Sequence, residues 1–306
     1  MIDKLIEDIQ KKKNPSVVGL DPTLEMMPDY LLEEYTEKYG KTAEAVSLLF
    51  TEFNKRIIDA VREIVPAVKP QIAMYEKYGL PGLIAYDETC RYASEAGLTV
   101  IGDIKRGDIS STAAAYAAHL GGADIQGEHI EPWREDAVTV NPYLGTDGIA
   151  PFTEECRDRG KGLFILVRTS NPSSSELQEL ELADGRKLFE AVADLTVEWG
   201  RECMGSYGYS EVGAVVGATH REQGEALRIR MPHCFFLVPG YGAQGGSAED
   251  VAGFFDQDGI GAVISSSRGI TAAYQKEKKY SGRDFAEAAA EAAVSMRDAL
   301  RAVLQV

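Results

Sequence analysis

Four ionisable side chains, Asp103, Lys105, Arg106 and Asp108, crowd into the segment GDIKRGDISST at residues 102–112. An apolar run leads into them, so Asp103 and Lys105 read as two positions apart on one strand, with both side chains on the same face. Arg106 then points to the opposite face, and Gly107 lets the chain turn so that Asp108 starts the following helix. A carboxylate fixed beside an ammonium at a strand end can stabilise or repel charge on a reacting group. The plainer alternative is a structural ion pair, with Asp108 or Ser110 capping the helix.

Other polar groups stand at the ends of other apolar runs: Asp21, Lys69, Asn141, Ser170, His220, Gln244 and Arg268. The segments PGYGAQGG at 239–246 and SSSRGI at 265–270 have the composition of a phosphate site. Their glycines allow close backbone approach, Arg268 offers a forked cation, and the amides near Gly269 can donate to oxygen. His220 stands alone and reads as a structural donor, while His119, His129 and His233 lack metal-ligand spacing. Cys90, Cys156, Cys203 and Cys234 lie far apart with no CxxC pair and read as buried free thiols. Tyr75 and Tyr78 read as packing residues. Neither a metal nor a cofactor is expected.

The elements that must position these groups are legible as short apolar runs at 17–20, 67–73, 98–104, 137–140, 163–167, 212–217, 234–238 and 261–265, eight candidate strands. Between them lie stretches of helical periodicity at 45–64, 83–96, 111–120, 188–204 and 248–255; residues 285–304 form a last helix and 1–14 a short amphipathic one. Strands alternating with helices imply parallel βαβ units, and eight of them imply a (β/α)8 barrel, with the active site at the carboxyl ends of the strands. An open doubly wound sheet would carry a glycine-rich turn after its first strand, whereas this chain has GLDPTLEMMP. Residues 25–41 and 171–186 read as loop insertions, and 1–306 as a single domain.

A hydrophobic content of 44% with 26% charged residues suits a chain that buries a sizeable core, and excludes disorder. The net charge of −16 argues against a nucleic-acid surface, so an anionic substrate must meet a locally positive pocket. No run approaches the ~18 apolar residues of a membrane span, and the first residues lack signal-peptide features. A cytoplasmic protein is expected.

At 103–112 the chain resembles the orotidine 5'-monophosphate decarboxylase family, whose signature D-x-K-x-x-D with a threonine four residues on is met by Asp103, Lys105, Asp108 and Thr112. The resemblance continues, in order, through GLDP at Asp21, VKPQIAMYE at Lys69, VRTSNP at Ser170, VPGYGAQGG at Pro239 and Gln244, and SSSRGI at Arg268. The insertions and the SNPSSSEL segment are similar to the longer bacterial variety of the family.

The resemblance implies a (β/α)8 barrel that converts orotidine 5'-monophosphate to uridine 5'-monophosphate without a cofactor. It implies a catalytic network of Lys69, Asp103, Lys105 and Asp108, with Lys105 as the proton donor to C6. It assigns substrate binding to Asp21 and Thr112 at the ribose, Ser170 at the pyrimidine edge, Gln244 between phosphate and base, and Pro239, Gly245, Arg268 and Gly269 around the phosphate. It also implies a homodimer in which Asp108 and Thr112 serve the partner's site. The rival readings are a metal-dependent sugar-phosphate decarboxylase or aldolase of the same barrel group, a Schiff-base aldolase using Lys69 or Lys105, and a non-catalytic nucleotide-phosphate binder.

Overall fold

The computed structural model describes residues 1–242 and 245–304. Along the chain run α1 (Ile2–Lys12), β1 (Ser16–Leu20), α2 (Asp29–Tyr39), α3 (Ala43–Val61), β2 (Ala67–Pro70), α4 (Ile72–Glu76), α5 (Gly79–Glu95), β3 (Thr99–Arg106) and α6 (Ser110–Gly121). There follow β4 (Ala123–Ile125), β5 (Glu128–Ile130), β6 (Ala137–Val140), α7 (Thr146–Arg159), β7 (Gly162–Arg168), α8 (Ser175–Gln178), α9 (Leu188–Trp199) and β8 (Ser210–Val216). The last elements are α10 (Arg221–Arg230), β9 (Cys234–Val238), α11 (Ala248–Val251), β10 (Ala262–Ser266), α12 (Arg268–Thr271) and α13 (Phe285–Leu304).

Eight of the strands form a closed parallel barrel in the order β1, β10, β9, β8, β7, β6, β3, β2. Closure is made by β1 against β10, with Val17 opposite Ser265. The (β/α)8 expectation holds because barrel strands, buried on both faces, appear in sequence as continuous apolar runs.

Alternation along these strands sorts side chains into layers. Val17, Ala67, Ile101, Ala137, Phe164, Phe235 and Val263 pack together inside the barrel, and α1 closes that end with Ile2, Leu5, Ile6 and Ile9. Those four recur at i, i+3, i+4 and i+7, the stripe of a helix lying on an apolar surface. Two residues further along, on the same inward face, stand Lys69 after Ala67, Asp103 after Ile101 and Thr139 after Ala137. The apolar plug thus floors a polar layer at the carboxyl ends.

Several boundaries differ from the expectation. The second strand stops at Pro70 because residues from Ile72 turn into α4. The helix expected over 188–204 ends at Trp199. The 25–41 insertion is not a plain loop: it contains α2, which commits only Leu31 to full burial and so carries little helical signature. The β4–β5 hairpin was not anticipated, being three exposed residues on each side. Tyr75 is fully buried and packs edge-on against Phe50 and Tyr86, and all four cysteines are free and buried.

Candidate active site

Asp103 is the hub of the polar layer. Its Oδ2 accepts from Lys69 Nζ at 2.8 Å and from Gln71 Nε2 at 2.9 Å, and its Oδ1 accepts from Thr139 Oγ1 at 2.8 Å and from Lys105 Nζ. Lys69 Nζ also lies 4.0 Å from Asp21 Oδ1, and Asp21 Oδ2 accepts from Ser267 Oγ at 2.6 Å. Gly19 makes that last contact possible, since a Cβ there would collide with the Ser267 side chain.

Burial separates the two lysines. Lys69 and Asp103 are almost fully enclosed, whereas the Lys105 side chain is 45% exposed and faces the open mouth. Enclosure by itself would make Asp103 harder to ionise, but Lys69 and then Lys105 outweigh it and hold the carboxyl well below the usual carboxylate range. Enclosure likewise works against charge on Lys69, and Asp103 and then Asp21 more than compensate, holding its ammonium above the usual lysine range. The cluster is therefore a fixed alternation of charges.

The expected route by which Asp103 and Lys105 share a face needs correction. They meet, but not by regular strand alternation: Lys105 sits at φ 47°, and the β3–β6 register slips between Gly102 and Arg106. A left-handed lysine is costly, and a bulge re-aims side chains. Here Thr139 Oγ1 accepts the Lys105 amide at 3.1 Å, which secures the bend while donating to Asp103. Arg106 does turn away, pairing with Glu76 and lying over Tyr116.

Neither Asp108 nor Thr112 makes a side-chain hydrogen bond or ion pair to this cluster among the described residues. Helix α6 begins at Ser110 with Ile109 before it, so Asp108 does not start the helix; its Oδ1 accepts the Ile109 amide at 2.7 Å. Among the described residues Asp108 makes no ion pair with Lys69 or Lys105. The local turn that begins α6 carries it past the strand end, and Thr112 is exposed on the first turn.

Across the mouth, the loop after β9 bends at Gly240, Gly242 and Gly245, all at left-handed φ, with the Pro239 carbonyl accepting the Ala218 amide. Gln244 lies outside the described residues. Arg268 opens α12 with an exposed side chain that makes no ion pair among the described residues, and Gly269 follows it. Ser170 accepts at its carbonyl from Thr219 Oγ1 at 3.3 Å. His220 is a structural donor as expected, its Nε2 lying 3.1 Å from the Thr169 carbonyl. Buried His119 pairs with fully buried Glu135 at 2.7 Å, away from the mouth cluster. Asn141 Oδ1 accepts the Tyr143 amide. A cavity of about 750 Å³ lined by Leu24, Glu25, Tyr30, Gln275 and Arg283 contains none of the sequence-derived site residues.

The model of the orotidine 5'-phosphate decarboxylase / HUMPS family matches residues 15–282. The chain belongs to this family. A protein of Caldicellulosiruptor saccharolyticus named orotidine 5'-phosphate decarboxylase is 43% identical over 303 residues, 99% of this chain and 98% of that one. A Rhodopirellula baltica protein of the same name is 46% identical over 286 residues, 93% of this chain and 90% of its own. The solved structure of Leishmania donovani OMP decarboxylase superposes with a TM-score of 0.71 at 32% identity, covering 97% of this chain and 99% of that one.

For a family member, several residues at the mouth escaped the sequence reading. Gln71, Thr139 and Ser267 each donate to one of the two carboxylates, and Arg168 is 1% exposed directly before the Thr169–Ser170 turn. Thr139 could have been found, because it is a polar residue two places beyond Ala137 on an inward face.

Proposed function

We propose that this chain decarboxylates orotidine 5'-monophosphate to uridine 5'-monophosphate in pyrimidine biosynthesis, using its own charged side chains and no metal or cofactor. The carrying observation is the Lys69–Asp103–Lys105 chain of contacts at the centre of the barrel mouth. Loss of CO2 from C6 leaves an electron pair in an sp2 orbital that the ring cannot delocalise, so a fixed cation beside C6 is the chemistry required. Lys105, reaching into the open mouth from a buried carboxylate anchor, fills that role and delivers the proton to C6.

Asp103 stands beside the substrate carboxylate in this reading. Two unit charges about 4 Å apart interact by roughly 4 kcal/mol at an effective dielectric near 20. The slowest reactions require barrier reductions on the order of 20 kcal/mol, so repulsion is a minor contribution and stabilisation of the developing anion the major one. Asp21 and Thr112 hold ribose hydroxyls, Ser170 the pyrimidine edge, Gln244 the space between base and phosphate, and Pro239, Gly245, Arg268 and Gly269 the phosphate. The exposed Arg268 side chain, which makes no ion pair among the described residues, supports the last assignment.

The unit that works is a homodimer with shared sites, each combining Lys69, Asp103 and Lys105 of one chain with Asp108 and Thr112 of the other. Support comes from the absence, among the described residues, of any ion pair between Asp108 and Lys69 or Lys105, and from exposed apolar side chains near it. Ile109 adjoins it in sequence, and Leu144 and the Asp108 carbonyl both border Gly148. The whole chain acts as one catalytic domain in the cytoplasm.

Incubation of the purified protein with orotidine 5'-monophosphate after exhaustive chelation tests the reaction through the nucleotide's ultraviolet absorbance. Turnover unchanged by EDTA is expected. Turnover abolished by EDTA and restored by Mg2+ would transfer the assignment to the metal-dependent sugar-phosphate rival.

A further inference from the structure

Arg168 ends β7 with its guanidinium enclosed, a position that charged residues occupy only when their donors are used. Its Nε donates to Gln223 Oε1 of α10 at 2.5 Å. Its Nη1 donates to Ser174 Oγ at 2.6 Å and to Gln178 Oε1 at 3.1 Å, and Nη2 donates to Glu179 Oε1 at 2.5 Å. Three of those acceptors lie in the 171–186 insertion. His220 Nδ1 lies 3.4 Å from Nη2, and since an arginine only donates, that nitrogen is the acceptor and Nε2 carries the proton toward the Thr169 carbonyl.

The same groups grip the adjoining turn. Gln178 Oε1 also accepts the Thr169 amide at 3.0 Å, and its Nε2 donates to Thr169 Oγ1 at 2.7 Å. Beneath the turn lies Gly217, where any Cβ would meet Ser170 backbone at 2.8 Å. Thr169 is thus held on its amide, hydroxyl and carbonyl by Gln178 and His220, two residues that the Arg168 guanidinium contacts, while Ser170 rests on Gly217 and Thr219.

We infer that Arg168 is a positioning residue, which through Gln178 and His220 sets the Thr169–Ser170 turn against the substrate and turns the 171–186 insertion into a rigid wall of the site. This rests on the proposed placement of Ser170 at the pyrimidine edge. A lysine could not replace it, having no planar fork to reach acceptors on both α10 and the insertion.

The test compares Gln178→Ala, Arg168→Met and Ser170→Ala, singly and as Gln178→Ala/Ser170→Ala, by kcat/KM on orotidine 5'-monophosphate and by hydrogen exchange at the Thr169 amide. Gln178 is partly exposed, so its variant serves even where Arg168→Met fails to fold. Gln178→Ala should speed Thr169 exchange by about tenfold or more and lower kcat/KM, and the double variant should lose little beyond the larger single loss. Gln178→Glu, which keeps the oxygen that accepts from Arg168 and the Thr169 amide but loses the Nε2 donor to the Thr169 hydroxyl, should recover only part of the loss. Unchanged exchange at Thr169, or losses that multiply in the double variant, would overturn the inference. Failure of the wild-type protein to turn over the nucleotide would instead sink the assigned reaction, and the exchange measurement would still judge the clamp.

Discussion

Asp103 carries four donors on two oxygens, and its contribution to stability has a definite pH window. Its folded value is depressed, so that contribution is present above the unfolded value near 3.9 and is lost as pH falls toward the folded one. Lys69 is the opposite case: its folded value is raised, so its contribution is present below the unfolded value near 10.4 and is lost as pH rises through the folded one. Between about pH 5 and 9 the pair should stabilise the fold by a constant amount. Asp103→Asn leaves Lys69 enclosed with Asp21 as its one carboxylate partner among the described residues, at a cost on the order of 3–5 kcal/mol. Urea unfolding of both proteins across pH checks this; the stability difference should be flat through neutrality and shrink in acid. At this scale the sequence disclosed the charged partners and concealed their geometry. Residue types identified Asp103, Lys105 and Lys69, but the left-handed Lys105 and the Thr139 hydroxyl beneath it depend on how β3 meets β6.

Elements differ in how plainly they announce themselves. The barrel strands are continuous apolar runs and were readable to within a few residues, since burial on both faces leaves no polar alternation. Helix α2 and the β4–β5 hairpin were not, because exposed elements commit few side chains to the core and leave no period to detect. Arg168 is a telling failure of the other kind: a charged residue closing the run LFILVR looks like a strand end, although it is among the most enclosed large side chains. The phosphate segments belong to this scale too. We propose that the loop after β9 and the start of α12 together hold the phosphate, with Arg268, the first residue of α12, as the cation. Arg268→Ala should impair the phosphorylated substrate and hardly change turnover of the unphosphorylated nucleoside, with kcat falling along with affinity if phosphate binding drives closure. Equal losses on nucleotide and nucleoside, measured by steady-state kinetics, would remove Arg268 from the phosphate site.

The whole molecule is arranged as a floor and a mouth: α1 and the inner apolar layer close one end, and the charges collect at the other. One chain presents Lys69, Asp103 and Lys105 together while Asp108 makes no ion pair with them among the described residues, and in the proposed dimer a two-fold axis would make the exchange of Asp108 reciprocal. Co-refolding Lys105→Ala with Asp108→Ala in equal amounts reads this out. Random pairing makes half of the dimers mixed, each with one intact site of two, so about a quarter of wild-type activity should return. No recovery, with mixed dimers verified by mass, would place Asp108 in its own chain's site.

Lys105, in the proposed reaction, supplies both the charge that stabilises the anion left at C6 and the proton that takes the place of the departing carboxyl group. Single-turnover decarboxylation of orotidine 5'-monophosphate by wild-type protein and by Lys105→Ala, each saturated with substrate, measures that contribution. The rate should fall by several orders of magnitude with far less change in binding, because the ammonium matters most as the carbanion forms. A variant that stays within about tenfold of wild type, a difference of only ~1.4 kcal/mol, would contradict that role of Lys105.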